Sequence, residues 1–177
     1  PATVFHNLSI VPSAATFSET GSLTLQSGED VTRSAVIDTA NGFAYFGTDG
    51  AGIIVKVRLS DLTRVGALTT SGENLWTGVI DSGNGFAYFA SNPGSTSDIL
   101  KIRLSDFTEV ASLALSVGWL QTGVIDTGNG YAYFGAGYSP GKVVKIDVDP
   151  SRSFADMGTV TFNAGEDTVV ASVIDTV

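Results

Sequence analysis

One phrase recurs four times along the chain: Val36-Ile37-Asp38, Val79-Ile80-Asp81, Val124-Ile125-Asp126 and Val173-Ile174-Asp175. Its aspartates stand 43, 45 and 49 positions apart. Three copies run on into an Asn-Gly pair and an aromatic stretch: Asn41-Gly42-Phe43-Ala44-Tyr45-Phe46, Asn84-Gly85-Phe86-Ala87-Tyr88-Phe89 and Asn129-Gly130-Tyr131-Ala132-Tyr133-Phe134. A period in the forties, filled with strand signals and lacking a helical one, restricts the fold to propeller blades or a related β-repeat array. The expected class is therefore all-β, built from four-stranded antiparallel blades.

Each repeat divides into strands A to D. Strand A holds the Val-Ile-Asp phrase, preceded by a small residue: Ala35, Gly78, Gly123 or Ser172. Small side chains suit the innermost strand, where neighbouring blades crowd together. The Asn-Gly pair supplies the positive φ values that a tight hairpin turn demands, and the preceding Asp accepts hydrogen bonds from the turn's amides. As calcium ligands these turns fall short, because each offers too few carboxylates for the roughly 6–8 oxygens the ion takes. Strand B is apolar on both faces, as a strand sandwiched between blades must be. Phe46, Phe89 and Phe134 are thus expected to be buried between blades. Strand C alternates, with Val55, Val57 and Leu59 opposite Lys56 and Arg58, which predicts a half-buried strand with one polar face. Strand D is the most polar and is placed at the outer edge.

The full blades fall at 28–71, 72–117 and 118–164, flanked by partial blades over 1–27 (strands C and D) and 165–177 (strand A). Pro12-Ser13, Phe17, Gly21 and Gly28-Glu29-Asp30 match Pro150-Ser151, Phe154, Gly158 and Gly165-Glu166-Asp167 with one insertion. The two ends complement each other, and unpaired strand edges invite pairing. The expected partner is therefore another copy of the chain, in a ring or a filament according to whether the rotation closes. Closure of both ends within one chain and a place within a longer array are the alternatives.

Composition narrows the function. Nine basic against 18 acidic residues give a formal charge of −9, which argues against nucleic acid, since phosphates need clustered Lys and Arg. No apolar stretch reaches the ~18–20 residues of a membrane span. With no cysteine there is no disulfide, thiolate nucleophile or zinc–thiolate site. His6 is the only histidine and lies in the least repetitive segment, so neither a Ser-His-Asp triad nor a histidine metal site is expected. Asp147, Asp149, Ser151 and Ser153 alternate like a calcium loop but lack its Gly and distal Glu, and read as a polar turn. A glycosidase carboxylate pair would break the repeat's symmetry, whereas the strand A aspartates preserve it. No catalytic residue, cofactor or metal is expected. Asn7-Leu8-Ser9 matches the glycosylation pattern.

Binding is better sought where the repeats differ. The D–A and B–C loops of a propeller emerge on one face. They carry the candidate ligand-binding residues Asp30, Arg33, Asn74, Trp76, Trp119, Gln121 and Tyr138, with Asp49 nearby. Aromatic rings among amides and charges suit a glycan or a peptide. Trp76 and Trp119 are expected on the same face.

The repeats over residues 28–177 resemble the YVTN-type and surface-layer-type β-propeller repeats of secreted microbial proteins. The chain departs from them in reading Ala-Tyr-Phe-Gly where the family has Tyr-Val-Ala-Asn. The resemblance implies a non-catalytic extracellular or cell-surface protein with a structural or adhesive role. A lectin-like or peptide-binding module using the loop face is the alternative.

Overall fold

The computed structural model describes residues 19–176. Expectations placed on residues 1–18, including His6, the Asn7 pattern and the start of the N-terminal partial blade, lie outside the described residues. Within them there are twelve strands and no helix. They form three four-stranded antiparallel meanders. The first blade is β1 (Thr32–Asp38), β2 (Phe43–Thr48), β3 (Ile53–Arg58) and β4 (Thr63–Thr69). The second is β5 (Leu75–Asp81), β6 (Phe86–Ser91), β7 (Ser97–Arg103) and β8 (Thr108–Leu115). The third is β9 (Leu120–Asp126), β10 (Tyr131–Ala136), β11 (Lys142–Asp147) and β12 (Ala155–Thr161).

Pairing registers repeat from blade to blade: Val36 faces Tyr45, Val79 faces Tyr88 and Val124 faces Tyr133. The A–B turns also repeat. Asp38 accepts from the Asn41 amide at 3.2 Å and from its side chain at 2.8 Å. Asp81–Asn84 and Asp126–Asn129 do the same at 3.1 and 2.7 Å. Only the glycine of each Asn-Gly pair takes a positive φ (75°, 77° and 73°), so the asparagine serves through its side chain.

The core lies between sheets. One cluster joins Val36, Tyr45 and Ile54 of the first blade to Leu75, Ala87, Phe89, Leu100 and Ile102 of the second. The other joins Val79, Tyr88 and Ile99 to Leu120, Phe134, Val144 and Ile146. The inner strands β1, β5 and β9 stand side by side, and small residues allow it. A Cβ on Gly78 would lie 3.0 Å from Phe89 and 3.3 Å from Val36. On Gly123 it would lie 3.0 Å from Phe134 and 3.1 Å from Val79.

Two expectations need correction. Phe89 and Phe134 are fully buried, but Phe46 is only half-buried. It points away from the second blade, toward a surface that residues 19–27 cover without forming a strand. Strand C does not keep its cations on one solvent face. Arg58 is exposed, whereas Lys56 turns inward between the blades, its ammonium 4.1 Å from the centre of the Phe43 ring.

Candidate functional site

Two surfaces stand out: the mouth of the inner strands and the sheet face of the third blade. At the mouth, each inner strand presents one side chain five positions before its aspartate: Arg33, Trp76 and Gln121. The positions below them repeat, with Ala35, Gly78 and Gly123 over Ile37, Ile80 and Ile125 lining an apolar trough of about 610 Å³. Packing dictates the repeated layers and not the mouth. Asp49, on the loop after β2, organises it. Its carboxylate accepts from the Trp76 indole at 3.1 Å and from Arg33 Nε at 3.0 Å. These bonds, the indole's first, hold the Asp49 pKa below the ordinary aspartate value. Arg33 lies 5.9 Å from the Trp76 ring centre, and Trp119 meets Trp76 edge-on at 5.8 Å. Arg33, Trp76 and Gln121 line a cavity of about 340 Å³.

The two tryptophans therefore share a face. The other candidates do not join the cavity. Asn74 braces its loop, accepting from the Gly50 amide at 2.9 Å and donating to the Asn92 carbonyl at 3.3 Å. The Tyr138 hydroxyl accepts from the Gly118 amide and donates to the Ser95 carbonyl, both at 3.2 Å. Asp30 is exposed and does not line the cavity. The central role of Asp49 was not legible, because its partners lie on two different inner strands.

The blade faces follow one rule. A lysine of strand C enters a cage of aromatic rings, and the following blade supplies the last wall. Lys56 sits 4.1 Å from Phe43, 5.5 Å from Tyr45 and 5.7 Å from Phe107 of the second blade. Lys101 sits 4.2 Å from Phe86, 5.8 Å from Tyr88 and 5.6 Å from Phe154 of the third. The quadrupoles of the rings favour the ammonium while the stem packs on their apolar surface. Burial pushes the Lys101 pKa down, against the pull of Asp81. Lys145 has Tyr131 at 3.6 Å and Tyr133 at 5.8 Å, and no wall from a further blade among the described residues.

Tyr133 is half-buried where Tyr45 and Tyr88 are closed off, and Val160 on the outer strand β12 is 63% exposed. The inner margin of this face is covered by residues 163–176, which form no strand. Val169 packs against Gly135 as Leu75 packs against Gly47. Thr168 donates its amide to the Tyr138 carbonyl at 2.8 Å, and the Ser172 and Thr122 hydroxyls share a bond of 2.6 Å.

No family model and no curated protein matches the chain. Solved β-propeller structures do. A Kuenenia stuttgartiensis hydrazine synthase aligns at TM-score 0.62 and 14% identity, over 74% of this chain and 37% of that one. The RRP9 WD40 repeats align at 0.63 and 11%, over 80% and 42%. A functionally unknown protein from Desulfotomaculum acetoxidans aligns at 0.64 and 14%, over 77% and 42%. The fold is that of propeller blades. The chain spans about two-fifths of the length of these structures. The neighbours' identities are too low to extend the likeness to the YVTN or surface-layer family.

Proposed function

We propose that the chain is a non-catalytic structural scaffold, extracellular or at a cell surface, that associates with copies of itself through its outward blade faces. One observation carries this reading. Tyr45, Tyr88, Phe89 and Phe134 are closed off between blades, while their repeat counterparts Phe46 and Tyr133 stand half-buried on the two outward faces. Apolar sheet surface of this kind is stabilised by a further blade, and an open Lys145 cage adds directional chemistry to it. Support for the extracellular setting is the likeness of the repeats to those of secreted microbial proteins. The test is a native mass of the chain beside its Tyr133→Lys variant. Wild-type mass above one chain of 18.3 kDa, reduced to one chain in the variant, supports the reading. A single-chain mass for the wild type at all concentrations overturns it.

The mouth favours a second reading, a glycan- or peptide-binding module. Arg33, Trp76 and Gln121 combine a ring with an amide and a guanidinium around one cavity. A glycan array and a peptide array probed with the wild type and with Trp76→Ala test it. Binding that survives the substitution removes this site.

A further inference from the structure

The segment before β1 and the segment at 163–175 are the same module in the same conformation. Gly28-Glu29-Asp30 and Gly165-Glu166-Asp167 each stand eight residues before Val-Ile-Asp. Gly28 and Gly165 have φ of 89° and 90°, and Val31 and Thr168 have 53° and 54°. In the first module the Gln26 amide donates to the Glu29 carboxylate at 3.0 Å, and the Glu29 amide returns to the Gln26 carbonyl at 3.0 Å. In the second, Asn163 and Glu166 repeat both bonds at 2.8 and 3.0 Å. The first module continues into β1 and pairs with β2. The second already lies along the third blade, with Val169 seated against Gly135, yet forms no strand.

Their charges differ in one respect. Glu29 is buried and held by the Arg64 guanidinium on β4, through Nε at 3.0 Å to both carboxylate oxygens and through a further contact. Glu166 is exposed and has no such partner among the described residues. Within a blade, this position of the entering module meets the outer strand. In the second blade that strand offers Glu109, which accepts from Ser71, and in the third the register puts Asp156 at the matching place. Among the three described blades only the first carries an arginine there, so of these only the first complements Glu166.

We infer that residues 165–174 of one copy act as the inner strand of the first blade of a second copy, pairing with its Phe43–Thr48 and placing Glu166 against its Arg64. The inference rests on the self-association proposed above and specifies its mechanism. Strand exchange conserves most of what it breaks. The second copy's β1 leaves, and an equivalent Val-Ile strand replaces it in the same register, with Ile174 opposite Ala44 as Ile37 is within one chain. The Glu29–Arg64 pair is replaced by Glu166–Arg64. Three contacts have no replacement: Arg33 to Asp49 and Arg33 to the Trp76 ring, where Val170 now stands, and the Ser34 hydroxyl to the Leu75 carbonyl at 2.7 Å, where Ala171 stands. In return, the open face of the third blade receives a complete sheet. Phe46 then takes the place Phe134 holds in the preceding joint, and Leu62, which has the φ of Phe107, approaches the Lys145 cage.

The chain has no cysteine, so single introduced thiols report cleanly. Directly opposed residues of an antiparallel pair lie within disulfide reach. Ile174→Cys and Ala44→Cys are mixed in equal amounts under mild oxidation, with the native mass of each measured first. Exchange predicts a disulfide-linked pair joining one Ile174→Cys chain to one Ala44→Cys chain, at least tenfold over either self-linked pair. It also predicts loss of that product when the first chain carries Glu166→Arg, and its recovery when the second carries Arg64→Glu. Copies that associate by mass yet give no such product overturn the exchange and leave self-association standing. Copies that remain single chains overturn both.

Discussion

Tyr88 of the second blade donates its hydroxyl to the carbonyl of Val148 in the third, 3.1 Å away across the joint between their sheets. Both groups are closed to solvent, so the bond has no water to replace it. Replacing Tyr88 with Phe keeps the ring and strands the carbonyl. The expected cost is about 1–3 kcal/mol in chemical denaturation, the range for a buried group left without its partner. An unchanged midpoint would mean that the joint is wetter than described.

The same joints should resist alkali. Burial, the larger cause, and the charge of Asp38 push the Tyr45 phenol up to about 12. Burial, with Asp81 and Asp147, pushes Tyr88 higher still. A raised folded pKa means that the fold holds the neutral phenol. Its stabilisation is complete below the unfolded pKa near 10 and is lost as pH rises through the folded value. Ultraviolet titration should therefore show these two tyrosines ionising only around pH 12 or above, together with loss of the native signal. Ionisation of all five tyrosines near pH 10 in the folded protein would contradict the packing.

Glycine at the inner strand is a steric requirement at Gly78 and Gly123. Alanine at either would press a Cβ to about 3.0 Å from a buried phenylalanine ring, with the preceding blade's valine just behind. Overpacking of this kind costs roughly 1–3 kcal/mol. Gly66 on β4 has open space at its Cβ, and Gly66→Ala should change stability by less than about 1 kcal/mol. Equal effects at the three sites would refute the crowding argument.

Much of this was legible in the chain. The small residue before each Val-Ile-Asp phrase announced crowding at the inner strand, and Asp-x-x-Asn-Gly announced a turn closed by its own side chains. What escaped was anything decided by a neighbour. Lys56 and Lys101 alternate with aliphatic residues as surface cations do, and only the approach of Phe107 and Phe154 from the next blade makes them interior. Phe46 has the same local sequence as Phe89, yet differs in burial because burial depends on the adjoining sheet. At the mouth, Arg33 and Trp76 come together with Gln121 around one cavity, while Asn74 and Tyr138 spend their polar atoms on bracing loops.

The turns should carry measurable stability. Asn84 makes two bonds to Asp81, at 3.1 and 2.7 Å, and Asp81 is buried. Asn84→Ala removes the stronger of them and should cost about 1 kcal/mol, with Asn129→Ala at the more exposed third turn costing less. The reverse order in thermal or chemical unfolding would assign the stability to something other than the Asp–Asn pairs.

Self-association through the blade faces is most directly tested by amide hydrogen exchange at low and high protein concentration. Amides of β5 to β8, flanked by a blade on either side, should exchange slowly at both. Amides of β10, β11 and β12 in the third blade should gain protection as concentration rises, and Tyr133→Lys should abolish the gain. Exchange in β10 to β12 that stays the same at every concentration, with the wild type matching the variant, would contradict the account.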